Sequence, residues 1–173
     1  MADHVIKNFD ELVSKAADVR DRKARKIALT LLEEAVKASD PRTALHRNLC
    51  LSRDGRTLRV GPDSFRLQKS SRIYIVGGGK ASGAMAEEAE KQLGKKIAGG
   101  CVSILRGTRP MFNTKFVELR ESSHPLPGND SVEATKRIIT LVDKATPKDI
   151  ILGLFSGGGS SLFSLPPPTV KLE

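Results

Sequence analysis

Residues 73–80 read Ile-Tyr-Ile-Val-Gly-Gly-Gly-Lys, and residues 150–161 read Ile-Ile-Leu-Gly-Leu-Phe-Ser-Gly-Gly-Gly-Ser-Ser. Each stretch is a short apolar run that breaks into three consecutive glycines. This pattern is typical of a buried strand that turns directly into a helix. Such a turn leaves backbone amides at the positive end of the helix, where a phosphate or carboxylate binds. Two such turns in one chain predict a small-molecule site built on a parallel sheet.

The chain between and around these stretches alternates between strand and helix patterns. The spacing predicts strands at 72–77, about 100–105, 116–119 and 149–155, and helices at about 80–93 and 130–144. This alternation indicates the α/β class, and we expect a three-layer Rossmann-like domain with a mostly parallel sheet. Both glycine turns then fall at the carboxyl ends of strands, where sites in such sheets lie.

The first 60 residues follow other patterns. Apolar residues at helical spacing over 9–38 predict one interrupted helix or two consecutive ones, and Asp40-Pro41 can start a short further helix. Asp54-Gly55 lies between two extended runs and predicts a small hairpin decoration on the edge of the main sheet. We therefore expect an N-terminal helical segment at residues 1–48 and an α/β domain at 49–173.

Composition argues against several classes of protein. The net charge of +9 is spread among interleaved acidic residues and aromatic content is only 4%, so no nucleic-acid partner is expected. Cys50 and Cys101 show no metal-binding or disulfide spacing, which fits a reducing compartment. No apolar run approaches the roughly 18 residues of a membrane span, and the N-terminus lacks a targeting pattern. We expect a cytoplasmic protein without membrane contact.

Lys80 is the most informative residue of the first glycine block. A lysine in the first turn of a helix is locally unfavourable, so an anion is expected to compensate its charge. The alternative is an ordinary solvent-exposed or ion-paired lysine. The block matches neither a P-loop, because Ala81 stands where that motif has Ser or Thr, nor a dinucleotide fingerprint, because Ser82 replaces the last glycine.

The second block, residues 156–161, lacks the Gly-x-Ser-x-Gly spacing of a nucleophile elbow. One interpretation is an anion or hydroxy-acid site lined by backbone amides and serine hydroxyls. The other is a flexible turn with Ser160 or Ser161 as the cap of the following helix. Three glycines cost conformational entropy that a plain turn would not need, which favours the first interpretation.

His124 lies in a loop that Pro125 and Pro127 make stiff. Its imidazole suits proton transfer near neutral pH, so it can be a general base, a residue that lines the site, or a structural histidine. We predict no metal-ligating residues, and Glu87, Glu88 and Glu90 are interpreted as a solvated helix face.

Three blocks taken together resemble the glycerate 2-kinase family, whose members carry the so-called MOFRL domain and were formerly labelled hydroxypyruvate reductases. The blocks are Val76–Ala81, His124–Gly128, and Ser156–Leu162 with Leu165-Pro166. The resemblance implies ATP-dependent phosphorylation of D-glycerate to 2-phosphoglycerate with Mg²⁺, in the cleft of a two-domain enzyme. Glycerate and a nucleotide are then the small-molecule partners, and a homodimer is left open.

The resemblance also implies roles for residues of this chain. Lys80 occupies the position of a lysine that is important for activity. The predicted substrate- and nucleotide-binding residues are Gly77, Gly78, Gly79, His124, Ser156, Gly157, Gly158, Gly159, Ser160 and Ser161. Because family members continue past the proline-rich segment at 166–168, we expect this chain to be the N-terminal part of a longer enzyme and inactive alone. An NAD(P)H-dependent hydroxypyruvate reductase and a non-catalytic anion-binding module are the alternatives.

Overall fold

The computed structural model describes residues 4–170 and residue 172, and it divides the chain into two compact units, 1–44 and 45–173. The smaller unit contains α1 (Phe9–Ser14) and α2 (Val19–Ala38), and α3 (Pro41–Asn48) runs across the boundary. Of the two alternatives for residues 9–38, the two consecutive helices are present, because Asp18 caps α2 by accepting a hydrogen bond from the amide of Asp21. The domain boundary predicted after residue 48 stays a prediction.

Residues 49–66 form a three-stranded antiparallel sheet of their own. Its strands are β1 (Leu49–Leu51), β2 (Thr57–Val60) and β3 (Asp63–Arg66), in the order β1-β2-β3. The predicted hairpin is present as a sheet of its own that shares no strand with the main sheet, and Leu58 and Val60 of β2 line one pocket with residues 150–152 of the edge strand β7. The sequence pattern misses β3 because Phe65 is its only apolar residue, which leaves no alternation to detect.

The main sheet has four parallel strands in the order β6-β5-β4-β7. They are β4 (Ile73–Gly78), β5 (Ile97–Leu105), β6 (Val117–Ser122) and β7 (Ile150–Phe155). The helices of this unit are α4 (Ser82–Leu93), α5 (Asn129–Val142) and the four-residue α6 (Gly159–Leu162). The prediction of an α/β domain with a parallel sheet is confirmed, and α5 starts after an N-cap at Gly128.

Alternation along the strands places apolar side chains on both faces of the sheet. Ile75 belongs to the buried cluster that includes residues of α4, whereas Val76 belongs to a second cluster with Ile138 and Leu141 of α5. Successive residues of a strand point to opposite faces, so one strand serves both helical layers. This gives the three predicted layers: helix, sheet, helix.

Two of the three glutamates on α4 are buried, which corrects the expectation of a solvated face. The Glu90 carboxylate accepts hydrogen bonds at 2.7 Å from the amides of Lys115, Phe116 and Val117. A carboxylate with three amide donors tolerates burial, and here it fixes the start of β6. None of the helices in the described ranges is both long and apolar enough to cross a bilayer.

Candidate functional site

The structure places the two glycine turns side by side at the carboxyl edge of the main sheet. Strands β4 and β7 pair in parallel with Gly78 opposite Phe155. The amide of Ser156 donates to the carbonyl of Gly78 at 3.3 Å, and the amide of Lys80 donates to the carbonyl of Gly157 at 3.0 Å. The pairing of the strands therefore continues into direct hydrogen bonds between the turns.

The close approach of the turns explains two glycines of the first block. Gly77 has φ +156°, and a Cβ built there would lie 2.0 Å from the carbonyl oxygen of Leu154. Gly79 has φ +143°, and its Cβ would lie 2.3 Å from Oγ of Ser156. No side chain fits at either position, so packing between the turns alone requires these glycines.

The amides of the first turn already have acceptors within the protein. Gly79 donates to the carbonyl of Ser103 at 3.2 Å, Ala81 to Oγ of Ser156 at 3.0 Å, and Ser82 to the carbonyl of Gly79 at 3.2 Å. The expectation that this turn presents its amides to an anion is therefore wrong. The carbonyl oxygen of Ser103 on β5 and the hydroxyl oxygen of Ser156 after β7 accept hydrogen bonds from these amides instead.

The second turn is different, because some of its amides remain open. Within residues 4–170 and 172, the amides of Gly157, Gly158 and Ser160 have no hydrogen-bond acceptor. Gly158 has φ +87° and is the N-cap of α6, so neither Ser160 nor Ser161 caps this helix. Gly157 and Ser160 are exposed, which leaves their amides available to a ligand.

Lys80 and His124 converge on the second turn. A Cβ built on Gly158 would lie 3.3 Å from Cε of Lys80 and 3.2 Å from Nε2 of His124, so both side chains border the same small volume. Lys80 is exposed and its side chain has no ionic or hydrogen-bonding partner in the described part of the chain. The half-buried His124 reaches this point from a separate loop. The side chains of Lys80 and His124 thus meet at Gly158, in the middle of the turn that holds the three open amides.

The loop that carries His124 is fixed to the second turn. Oγ of Ser161 donates a hydrogen bond to the carbonyl of Pro125 at 2.5 Å, and the peptide bond between His124 and Pro125 is cis. The Ser161 hydroxyl therefore donates within the protein, and the Ser156 hydroxyl accepts the amide of Ala81. Of the three serine hydroxyls in 156–161, that of the exposed Ser160 has no protein partner among the described residues.

The far end of the same loop is held by Asp130. Its carboxylate accepts hydrogen bonds from Oγ of Ser123 at 2.9 Å and from the guanidinium of Arg106, which follows β5. Burial alone would raise the pKa of Asp130, but these two donors, together with the amides of Ser123 and Ser131, outweigh it and lower that pKa below its ordinary value. Asp130 is consequently a charged anchor for the loop and is not free to act as a ligand.

Two buried serines at the site escape the sequence analysis. Ser103 of β5 and Ser122 of β6 are both fully buried, and their Oγ atoms lie 2.7 Å apart. The only signal in the sequence is a serine inside the apolar run at 101–105. Among the described residues, no group of three or more His, Cys, Asp or Glu side chains could hold a metal ion.

Comparison with known proteins matches residues 27–173 to the family described as Domain of unknown function (DUF4147). A Homo sapiens protein named glycerate kinase is 36% identical over 160 residues, which cover 84% of this chain and 30% of that protein. A Thermotoga maritima protein named D-glycerate 2-kinase is 42% identical over 102 residues, covering 59% and 24% respectively.

A crystal structure of a protein from Pyrococcus horikoshii OT3 superposes with a TM-score of 0.76 at 30% sequence identity. The superposition covers 86% of this chain and 32% of that one. The chain thus spans about 30% of the length of the curated relatives that it matches over most of its own length.

Proposed function

This chain belongs to the family described as Domain of unknown function (DUF4147), and from that premise we propose that it forms part of the active-site cleft of a longer glycerate kinase. The resemblance found in the sequence is confirmed by relatives that are named glycerate kinase. The reaction we propose is the ATP-dependent phosphorylation of D-glycerate to 2-phosphoglycerate. The 2-hydroxyl of glycerate attacks the terminal phosphorus of ATP, ADP leaves, and the hydroxyl proton is released.

The observation that supports this proposal is the convergence of Lys80 and His124 on the open amides around Gly158. Phosphoryl transfer depends mainly on holding the reactants in line and on neutralising the charge that they carry. The Lys80 ammonium would neutralise an anionic oxygen of the nucleotide or of glycerate. The amides of Gly157, Gly158 and Ser160 would donate hydrogen bonds to the same anionic group, and His124 would bind a neighbouring substrate oxygen.

Mg²⁺, which the resemblance implies as a companion of ATP, does not fit the described residues. Mg²⁺ prefers carboxylate oxygens and water in an octahedral arrangement. The patch around Gly158 offers an ammonium group, an imidazole and amide donors, and the nearby Asp130 carboxylate is bonded to Arg106 and Ser123. We therefore assign no metal ligand to this chain.

The reductase alternative is not favoured. The relatives that match this chain at 32–42% identity are mostly named as kinases, and the first glycine turn keeps its amides for internal hydrogen bonds instead of offering them to a dinucleotide. A non-catalytic anion-binding module shares the same patch and is tested by the experiment below. The cytoplasmic location and the homodimer stay predictions.

The proposal is tested by measuring ATP consumption in the presence of D-glycerate. We expect no turnover from the 173-residue chain alone, and turnover from a longer enzyme that contains it. In that enzyme, Lys80→Ala should lower kcat by about 10²–10³-fold, as removal of one preorganised charge-stabilising group does.

The matched control is Lys95→Ala, because Lys95 is also exposed but precedes β5 at the opposite edge of the sheet. Equal kinetics for the two variants would reject the role of Lys80. Binding of glycerate or ATP by the longer protein without any turnover would support the anion-binding module instead.

A further inference from the structure

Ser103 is a buried polar residue whose hydroxyl connects two separate parts of the site. Its Oγ is hydrogen bonded to the carbonyl of Leu162, the last residue of α6, and lies 2.7 Å from Oγ of Ser122 at the end of β6. All three residues are fully buried, so water is not available as a substitute partner. The second glycine turn leads into α6, and the loop of His124 starts after Ser122.

The number of protons fixes the direction of these two hydrogen bonds. A serine hydroxyl has one proton, whereas the carbonyl of Leu162 can only accept. The Ser103 proton therefore goes to Leu162, and the hydroxyl of Ser122 donates to Oγ of Ser103. These hydrogen bonds therefore run in one direction, from Ser122 on β6 through Ser103 on β5 to Leu162 on α6. In the described residues, every buried side-chain polar atom has a hydrogen-bond partner.

The backbone of Ser103 reaches the third part of the site. Its carbonyl accepts the hydrogen bond from the amide of Gly79 in the first glycine turn, directly before Lys80. We propose that Ser103 is a positioning residue that sets the first glycine turn, the second glycine turn and the loop of His124 relative to one another. Ser103 does not touch the substrate, because it is fully buried; it acts through Lys80, Gly158 and His124.

The expected effect follows from how sharply catalysis depends on position. Loss of an outer group that orients a functional side chain costs about 10- to 100-fold, and a misplacement of about 1 Å can cost 10²-fold. Ser103→Ala removes both side-chain links at once and leaves the carbonyl of Leu162 and the hydroxyl of Ser122 without their partner. Ser122→Ala removes one link only, so it should have the smaller effect.

Ser71→Ala is the matched control. Ser71 is also a fully buried serine whose Oγ takes part in a hydrogen bond, with the amide of Gln68 at 3.0 Å, but it precedes β4 at the opposite edge of the sheet. It therefore reports the cost of deleting a buried hydroxyl without any change at the site.

The first measurement needs no activity and uses the 173-residue chain. In amide and imidazole NMR spectra, Ser103→Ala should shift the signals of Gly158 and His124, and Ser71→Ala should leave both unchanged. If Ser103→Ala does not fold, Ser122→Ala provides the same comparison. Unchanged signals of Gly158 and His124 in a folded variant would overturn the positioning role.

The second measurement rests on the proposed function and uses the longer enzyme. With rates corrected for the folded fraction, Ser103→Ala should lower kcat/KM for glycerate 10- to 100-fold, Ser122→Ala less, and Ser71→Ala not at all. Equal kcat/KM values for Ser103→Ala and Ser71→Ala would reject the positioning role and would leave the proposed function unaffected. Absence of turnover in the unsubstituted enzyme would reject the proposed function, while the NMR comparison would still decide the role of Ser103.

Discussion

Replacing Gly77 by alanine tests whether the site depends on direct backbone contact between β4 and β7. The added Cβ would lie 2.0 Å from the carbonyl oxygen of Leu154 and 2.7 Å from its carbonyl carbon, whereas ordinary contacts start at 3.4 Å. The obstacle is backbone, which cannot rotate away as the end of a side chain can. We expect β7 to shift from β4 at this point, so that the two glycine turns separate.

The magnitude follows from two contributions. A residue held in a rarely adopted backbone conformation costs about 1–3 kcal/mol, and forced overpacking costs about 1–3 kcal/mol more. Gly77→Ala should therefore lower the free energy of unfolding by about 2–6 kcal/mol. The control Gly107→Ala has φ +83° but no atom within 4 Å of its Cβ, so it should show only the conformational part.

Urea unfolding of the 173-residue chain, followed by circular dichroism, measures both variants against the unsubstituted protein. Gly77→Ala should be less stable than Gly107→Ala by at least about 1 kcal/mol. If both variants lose the same stability, the contact with Leu154 is not a constraint, and our explanation of the first glycine block is wrong.

Three further predictions concern other positions. Gly158 has φ +87°, so Gly158→Ala should lose about as much stability as Gly107→Ala. Its added Cβ would also lie within 3.3 Å of the side chains of Lys80 and His124, so kcat/KM of the longer enzyme should fall about tenfold or more. Burial raises the pKa of the Cys101 thiol to about 12, whereas Cys50 is exposed, so a thiol reagent at pH 8 should modify one cysteine in the native chain and two in denaturant. Hydrogen bonds from the backbone amides of Thr146 and Arg72 lower the pKa of Asp149 below its ordinary 3.8. The ionised carboxylate therefore stabilises the fold above about pH 3.8, and this stabilisation is lost as the pH falls through the folded pKa. In unfolding experiments at a series of pH values, Asp149→Asn should lose less stability on acidification than the unsubstituted protein.

The fold could be predicted from the sequence because its strands and glycine turns leave strong local signals. The apolar run at 73–76 and the glycines after it give the direction of β4, and the similar run at 150–155 gives β7. A parallel sheet then brings both turns to one edge without any further information. These runs do not predict the order of the strands, although the order decides which side chains are exposed. The apolar run of β7 predicts burial on both faces. Because β7 is at the edge of the sheet, its Ile151 and Phe155 are instead 45% and 53% exposed.

The chemistry of the site could be predicted only in part. Lys80 and His124 stand out as residue types in unusual places, and the structure brings them together at Gly158. Which amides remain open depends on acceptors that lie far away in the sequence, such as the carbonyl of Ser103, 24 residues after Gly79. The positions of Ser103 and Ser122 follow from the register of three strands, and a single sequence does not encode that register in any local pattern.

The two glycine blocks look alike in sequence, yet their glycines have opposite physical roles. In the first block, Gly77 and Gly79 let two backbones meet, and the amides of that turn are bonded within the turn, to the second turn and to Ser103 of β5. In the second block, Gly158 adopts φ +87° and starts a short helix whose first amides stay open. The first turn therefore contributes its lysine, and the second contributes its hydrogen-bond donors. In the proposed function, an anion at Gly158 would accept hydrogen bonds from the amides of the second turn and pair with the ammonium group of the first.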